Sequence, residues 1–231
     1  MPETTLSNNR LLAALPEKEF KRLVPKLEQF ELVYNKDVYK AGDVIEHVYF
    51  PESGIVSLLA VVGKASTLEV GIIGDEGMVG IAVFLGETIT NYRAVVQGEG
   101  FALRMTTADF IAASDRGGEF QRILKRFTLT LMTQISQSAA CNRYHAIDAR
   151  LARWLMMSRD RMKADEFKIT QEFLANMLGV RREAVNKTAT DFQHRGLISY
   201  TRGRLSILNP KKLEALACSC YAIIAGKQNK K

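Results

Sequence analysis

The spacing of hydrophobic positions changes twice along the chain. Between residues 11 and 30 apolar residues recur at helical spacing, interrupted by Pro16 and Pro25, which predicts two short helices. From Glu31 to Met105 the pattern becomes β-rich runs separated by glycines, among them TLEVGIIG, MVGIAVFLG and YRAVVQG. Short strands with glycine turns predict a compact roll or barrel.

A helical period returns at about residue 117 and continues to about residue 143. Apolar positions separated by alternating intervals of four and three residues are typical of a helix that pairs with a second copy of itself. The predicted dimerisation residues are Phe120, Leu124, Phe127, Leu131 and Gln134. Polar Gln134 weakens this seam, so packing of the stripe on the chain's own β-roll is the open alternative.

A second amphipathic helix is predicted for IDARLARWLMMSRDRM, and the segment NRYHA before it is a candidate hinge. Further on, TQEFLANMLGV predicts a helix with Thr170 as its cap, Gln171 in its first turn and Gly179 at its end. The next helix is predicted from about Arg181 to His194.

The segment LISYTRGRLSIL predicts a hairpin with Arg202 and Gly203 at its turn. Two helices joined by a tight turn and followed by a hairpin form a winged helix-turn-helix. The predicted fold class is therefore α+β. Residues 1–145 form a β-roll with a long dimerisation helix, and residues 146–231 form a winged helix-turn-helix domain.

Charge supports a role for this second domain in binding nucleic acid. Residues 146–231 hold 17 Lys and Arg against 8 Asp and Glu, a balance of +9, whereas residues 1–145 hold 15 against 17. Such asymmetry is typical of a nucleic-acid-binding module joined to a neutral partner domain. A basic tail kept for solubility explains the last lysines but not the arginines within the periodic segments.

Two arginines open the second helix of the helix-turn-helix, where the helix dipole is already positive. An external anion resolves this conflict. Arg182 is predicted to contact guanine and Glu183 to accept from cytosine. The remaining predicted DNA-binding residues are Arg181, Asn186, Lys187, Arg202, Arg204, Thr170 and Gln171, of which Arg181, Arg202 and Arg204 suit the phosphate backbone. The alternative is a solvated helix face with an Arg/Glu pair.

Cys141, Cys218 and Cys220 are too few for a disulfide framework, and a lone Cys-Ser-Cys lacks the further ligands of a zinc or iron–sulfur site. The histidines are scattered, so sequence spacing indicates neither a metal site nor a catalytic triad. The cysteines are therefore expected to be structural, with redox sensing by the Cys-Ser-Cys pair as the alternative. No cofactor and no catalytic residue is predicted.

The whole chain resembles transcription regulators of the Crp/Fnr superfamily. TQEFLANMLGVRREAV followed by GLISYTRGRLSILN is similar to that family's DNA-reading motif, and AGDVIEHVYFPESGIV resembles its cyclic-nucleotide-binding roll, a double-stranded β-helix. The resemblance implies a cytoplasmic homodimer that binds a pseudo-palindromic DNA site and RNA polymerase, with no membrane partner. It also implies that Arg182, Glu183 and Lys187 read the DNA.

The effector pocket departs from the family pattern. Arg93 matches the arginine that meets a cyclic phosphate, but the position after Gly80 is Ile81, where cyclic-nucleotide binders carry a glutamate for the ribose. Loss of that charge-assisted hydrogen bond costs about 1.5 to 3 kcal/mol. We therefore expect an effector other than cAMP, with Arg93 and Gly80 as candidate contacts; Arg93 as a surface or ion-paired strand residue is the alternative.

Three other interpretations remain open from the sequence. The helix-turn-helix of a ligand-binding module can engage a protein instead of DNA, and a cofactor-bearing sensor is a variant of the regulator. An enzyme is disfavoured because the sequence has no nucleophile elbow, P-loop or metal-ligand spacing.

Overall fold

The computed structural model describes residues 7–63 and 66–226. Its helices are α1 (Arg10–Ala13), α2 (Glu17–Leu23), α3 (Ile81–Phe84), α4 (Thr107–Ser114), α5 (Gly118–Tyr144), α6 (Ile147–Met162), α7 (Gln171–Leu178), α8 (Arg182–His194), α9 (Pro210–Leu216) and α10 (Cys220–Ile224), with a 3₁₀ turn at Val24–Lys26. Across the described ranges, none of these helices combines the length and the apolarity needed to cross a bilayer.

The strands are β1 (Glu28–Leu32), β2 (Asp37–Tyr39), β3 (His47–Pro51), β4 (Ile55–Val62), β5 (Ser66–Ile73), β6 (Tyr92–Gly98), β7 (Gly100–Thr106), β8 (Glu166–Lys168), β9 (Ile198–Thr201) and β10 (Arg204–Ile207). The chain divides into two compact units, residues 1–58 with 72–131 and residues 59–71 with 132–231. The predicted α+β class is confirmed.

The N-terminal strands form two sheets, and the first unit holds all of their strands except the end of β4 and most of β5. One sheet has the strand order β1-β7-β3 and the other β2-β6-β4-β5. Alternating apolar residues face inward. Full burial is found for Val48, Phe50, Ile55 and Met105. Burial of this face supplies the main driving force for the roll.

One predicted strand is wrong. MVGIAVFLG was expected to be β, but Ile81–Phe84 form the single turn of α3. The turn starts because Gly80 adopts φ 97°, a left-handed conformation that glycine permits and that redirects the chain. A Cβ at Gly80 would also meet Val48 Cγ1 at 3.2 Å.

The start of α5 packs into the aromatic core of the first unit. The ring centroids of Phe110 and Phe120 lie 5.8 Å apart in an edge-to-face arrangement, and Phe50 packs beside both. The carboxylate of Glu19 accepts from the backbone amides of Glu119 and Phe120 at 3.2 and 3.0 Å. An internal anion therefore satisfies the amides at the beginning of α5.

The predicted dimerisation stripe requires a correction. Its residues are all buried within the single chain, at 6% exposure or less, and are Phe120, Leu124, Phe127, Leu131 and Gln134. Phe127 shows the reason, because its ring fills the space next to Gly77, where an added Cβ would lie 2.4 Å from it. This stripe belongs to the core of the chain and is not available to a second copy.

A different face of α5 is exposed. Leu129 and Met132 expose 67% and 59% of their surface, and Ser136 and Ala139 continue the same face. Their positions follow steps of three, four and three, which keeps them on one side of a helix. The exposed seam, defined as these four residues, has the heptad spacing that was expected of the buried stripe.

The second unit contains the predicted helix-turn-helix and its wing. Helix α6 occupies the predicted segment from Ile147 to Met162 and buries Trp154, whose indole Nε1 donates to Glu69 Oε1 at 2.9 Å. Strands β8, β10 and β9 form an antiparallel sheet in that order. The connection between α5 and α6 lies at His145 and Ala146, within the predicted hinge.

Candidate nucleic-acid interface

Helices α7 and α8 form the predicted helix-turn-helix. Thr170 caps α7 as expected, because its Oγ1 accepts from the amide of Phe173 at 3.1 Å. Gly179 ends α7 at φ 60°, and an added Cβ there would lie 2.6 Å from Leu68 Cδ1. Both the backbone conformation and this close contact require glycine at the turn.

Buried contacts hold α8 in place and fix which side chains point outward. Val185, Thr188, Ala189 and Phe192 are buried and form the inner face of α8. The buried guanidinium of Arg150 in α6 donates to the carbonyl of Leu178 at the end of α7. A cation at this position complements the negative end of the α7 dipole, so the turn between the helices is rigidly supported.

The outer face of α8 carries the predicted reading residues. All of them are exposed: Arg181, Arg182, Glu183, Asn186 and Lys187. Arg181 is the N-cap of α8 and makes no side-chain cap hydrogen bond. No described residue forms an ion pair or hydrogen bond with the side chain of Arg182.

The beginning of α8 therefore combines open backbone amides with two arginines. Thr170 caps α7 and Glu19 serves α5, but no side chain caps α8. Cations at a helix N-terminus cost about 0.3 to 1 kcal/mol each. Open amides and two guanidinium groups are together a receptor for an anion such as a phosphate.

Two other predicted contact residues are bonded to each other. The side-chain amide of Gln171 donates to Asn186 Oδ1 at 3.0 Å, which links the first turn of α7 to α8. The bond orients Asn186 on the outer face. For either side chain to contact a base, the hydrogen bond between Gln171 and Asn186 must break, or its groups must form a second hydrogen bond.

The wing turn has an unusual backbone. Arg202 and Gly203 connect β9 to β10 with φ values of 51° and 78°, as in a two-residue type I′ turn. The left-handed conformation is natural for glycine but costs a residue such as arginine about 1 to 2 kcal/mol. Arg202 is exposed at the tip, where its charge is available to a partner.

The other wing arginine has an internal partner. Arg204 Nη1 lies 2.8 Å from Glu166 Oε1, and both side chains are more than half exposed. Such a surface ion pair contributes about 0 to 1 kcal/mol, so a phosphate can compete for Arg204. Glu166 was not identified from the sequence, because register in a three-stranded sheet decides which carboxylate faces Arg204.

A cleft lies between the wing and α8. Its volume is about 280 Å³, and its lining residues are Thr170, Gln171, Arg182, Tyr200, Arg202 and Gly203. The lining contains two guanidinium groups and no carboxylate. Tyr200, which sequence reasoning missed, donates its hydroxyl to the carbonyl of Ile169 at 3.0 Å and so fixes one wall.

The two candidate effector residues lie in the first unit. Arg93 is in β6, and its Nε lies 2.6 Å from Asp37 Oδ1 in β2. The structure thus has Arg93 in the ion-paired form that was the alternative to a free anion receptor. Gly80 precedes α3, and burial raises the pKa of the neighbouring Tyr39, whose hydroxyl interacts with the Gly80 backbone.

A comparison with protein families identifies the helix-turn-helix. Residues 149–216 match the model of the Crp-like helix-turn-helix domain. No curated protein matches the chain.

Several solved structures have the same fold over nearly their whole length. A Crp/Fnr-family protein from Eubacterium rectale shares 17% identity, with 90% of this chain and 98% of that chain covered at a TM-score of 0.70. FixK2 from Bradyrhizobium japonicum shares 13%, with 84% and 98% covered at 0.70. The c-di-GMP-responsive regulator CLP from Xanthomonas campestris shares 15%, with 83% and 99% covered at 0.68. The Crp-like helix-turn-helix that the resemblance implied is confirmed, and these structures share the fold of the chain.

Proposed function

We propose that this chain, which carries a Crp-like helix-turn-helix on the Crp/Fnr fold, is a cytoplasmic, homodimeric, sequence-specific DNA-binding regulator of transcription and has no catalytic activity. The observation that carries the proposal is the beginning of α8, where uncapped amides and Arg181 and Arg182 face solvent. A structural role for these arginines is disfavoured because their charge opposes the helix dipole.

The exposed face divides into residues that read bases and residues that hold the backbone. Arg182 donates both arms of its guanidinium to guanine, Glu183 accepts from cytosine, and Lys187 contacts guanine or phosphate. Arg181, at the open end of α8, binds phosphate.

The wing and the first turn of α7 complete the interface. Arg202 and Arg204 contact the sugar–phosphate backbone, and Thr170 and Gln171 line the cleft that receives a phosphate group. These contacts orient the protein on the duplex without selecting a sequence.

Two copies of the chain associate through the exposed seam of α5. Its Leu129 and Met132 are largely exposed in the single chain, and the 27 residues of α5 give a helix about 40 Å long. A dimer of this kind delivers two α8 helices to half-sites about 34 Å apart, so the operator is pseudo-palindromic.

A signal received by the β-roll shifts the population between DNA-competent and incompetent dimers. The signal is not cAMP, since Ile81 stands where the ribose-binding carboxylate is needed and Arg93 is already paired. RNA polymerase is the further partner through which DNA binding changes transcription.

Selection from random duplex DNA tests the proposal. We expect enrichment of an inverted repeat whose half-sites are one helical turn apart. Affinity for that site should fall linearly with log salt, because bound phosphates release counterions. The alternative that α8 contacts a protein predicts no enriched sequence and a shallow salt dependence. That result, together with a monomeric mass, would overturn the proposal.

A further inference from the structure

Three cysteines and one histidine, from two segments that are distant in the sequence, come together inside the second unit. Cys141 lies in the last turn of α5 and His145 follows that helix, whereas Cys218 lies between α9 and α10 and Cys220 begins α10. Their three sulfur atoms and one imidazole nitrogen all lie within 4.8 Å of one another. The cysteines are free and buried.

The distances within this group suit a single metal ion. Cys141 Sγ lies 3.4 Å from Cys218 Sγ, and Cys220 Sγ lies 3.5 Å from His145 Nδ1. Bond lengths to tetrahedral zinc of about 2.3 Å for sulfur and 2.0 Å for nitrogen place neighbouring ligand atoms about 3.5 to 3.8 Å apart. An iron–sulfur cluster puts several iron and sulfide atoms between its ligands and needs more room.

We propose that Cys141, His145, Cys218 and Cys220 bind one Zn²⁺ ion in a tetrahedral Cys₃His site. The donor set is the basis for this choice of ion, since thiolate and imidazole ligands in tetrahedral arrangement favour zinc over the hard cations. Four protein ligands leave no open position, so the site is structural and not hydrolytic.

The surroundings of the four ligands favour thiolates and an ion. Gln137 Nε2 donates to Cys220 Sγ at 3.3 Å, as an outer-shell group does for a metal-bound thiolate. Arg153 is 6% exposed, and its Nε has no hydrogen-bond partner among the described residues.

Zinc bound by three thiolates would offset part of the positive charge that is buried beside the group. Three thiolates and one Zn²⁺ carry a net charge of −1, and the two buried guanidinium groups near the cysteines are those of Arg150 and Arg153. Burial of a cation costs free energy unless an anionic group compensates it, and a zinc ion with three thiolates is such a group. A bound metal ion therefore accounts both for the buried positive charge and for the clustering of three cysteines with a histidine.

The site joins the connection between α5 and α6 to the C-terminal segment of the second unit. His145 belongs to the predicted hinge, and Cys218 and Cys220 belong to the segment that follows α9. Tyr221 adds a neighbouring anchor, since its hydroxyl donates to Asp160 Oδ2 at 2.7 Å. Zinc would thus hold residues 217–224 against the hinge.

Zinc analysis of the full-length protein tests the inference independently of DNA binding. Protein purified without chelator should contain one zinc per chain. After removal of the metal under reducing conditions, added Zn²⁺ should bind with a stoichiometry of one and slow the reaction of the cysteines with a thiol reagent. Co²⁺ should give sulfur-to-cobalt charge-transfer bands and the visible absorption of a tetrahedral ion.

A pair of variants separates the site from the surrounding fold. Cys141 is fully buried, so its replacement risks unfolding, whereas His145 is partly exposed. His145→Asn should lower zinc affinity by about 100-fold or more, since loss of an outer-shell group alone costs 10- to 100-fold. Ser219→Ala, an exposed position between the two cysteines, should leave affinity unchanged.

Three results would overturn the inference. The first is a reduced wild-type protein that takes up no Zn²⁺ and whose cysteines react equally fast with and without the ion. The second is recovery of iron with acid-labile sulfide, which would indicate a cluster. The third is unchanged zinc affinity in His145→Asn, which would remove the histidine from the site.

Discussion

The arginine at the first position of α8 should affect stability and DNA binding in opposite directions. In Arg182→Ala the protein loses a cation that opposes the helix dipole and has no ion-pair partner among the described residues. The free energy of unfolding should therefore rise by about 0.3 to 1 kcal/mol. Affinity for the selected DNA site should fall by about 1 to 3 kcal/mol, or roughly 5- to 150-fold.

Both quantities can be measured on the same preparation. Trp154 is the single tryptophan and is buried in α6, so its fluorescence follows urea unfolding of the second unit. Anisotropy of a labelled duplex gives the dissociation constant. Arg182→Lys keeps the charge but loses the bidentate fork, and should retain the salt dependence while losing discrimination at one base pair.

Arg195→Ala is the matched control, because it makes the same substitution at the opposite end of α8. Arg195 follows the end of α8, which at 13 residues is about 20 Å long, and its ion pair with Asp191 is largely exposed. Its removal should change stability by less than about 1 kcal/mol and leave the base preference intact. If Arg182→Ala lowered stability and DNA affinity together, or left the consensus and affinity unchanged, the assignment of Arg182 as a base-reading residue would be refuted.

Three further changes test the wing, the dimer seam and the core. Arg204→Ala should weaken binding to all DNA sequences alike and reduce the slope of log affinity against log salt by about one. Glu166→Gln, which frees Arg204 from its 2.8 Å ion pair, should strengthen binding to all sequences. If both variants kept the salt slope of the wild type, the wing contact would be contradicted. Leu129→Glu should convert a dimer to a folded monomer in light scattering, because Leu129 is 67% exposed in the single chain; a persistent dimer would exclude the seam. Gly77→Ala should lower the free energy of unfolding by about 1 to 3 kcal/mol in urea, because its Cβ would lie 2.4 Å from the Phe127 ring; an unchanged midpoint would show that the ring moves freely.

The helix-turn-helix was predictable because its signals are local. The Thr170 cap, the Gly179 turn and the 3.6-residue period all lie within one segment of the chain. Periodicity also located α5, but it did not reveal which apolar face the chain itself covers. Phe127 and Leu129 are two residues apart, one buried by its own unit and the other exposed, and only tertiary packing distinguishes them.

The cysteine–histidine group was beyond sequence reasoning for a related reason. Cys141 and Cys218 are 77 positions apart, and the spacing between them follows no metal-binding motif. The fold brings them together because the segment after α9 returns to the end of α5. A local motif search therefore finds the Cys-Ser-Cys pair and misses the two ligands that complete it.

The structure distinguishes two arginines that the sequence offers as candidate anion-binding residues. Arg93 already has the carboxylate of Asp37 at 2.6 Å, so an anionic effector must displace an internal partner and gains only the difference between two similar interactions. Arg182 displaces nothing, because no described residue pairs with it. Binding of an anion is therefore more favourable at the helix-turn-helix than at the candidate effector position. With Ile81 in place of the ribose-binding carboxylate as well, the signal proposed for the β-roll must supply contacts beyond a negative charge.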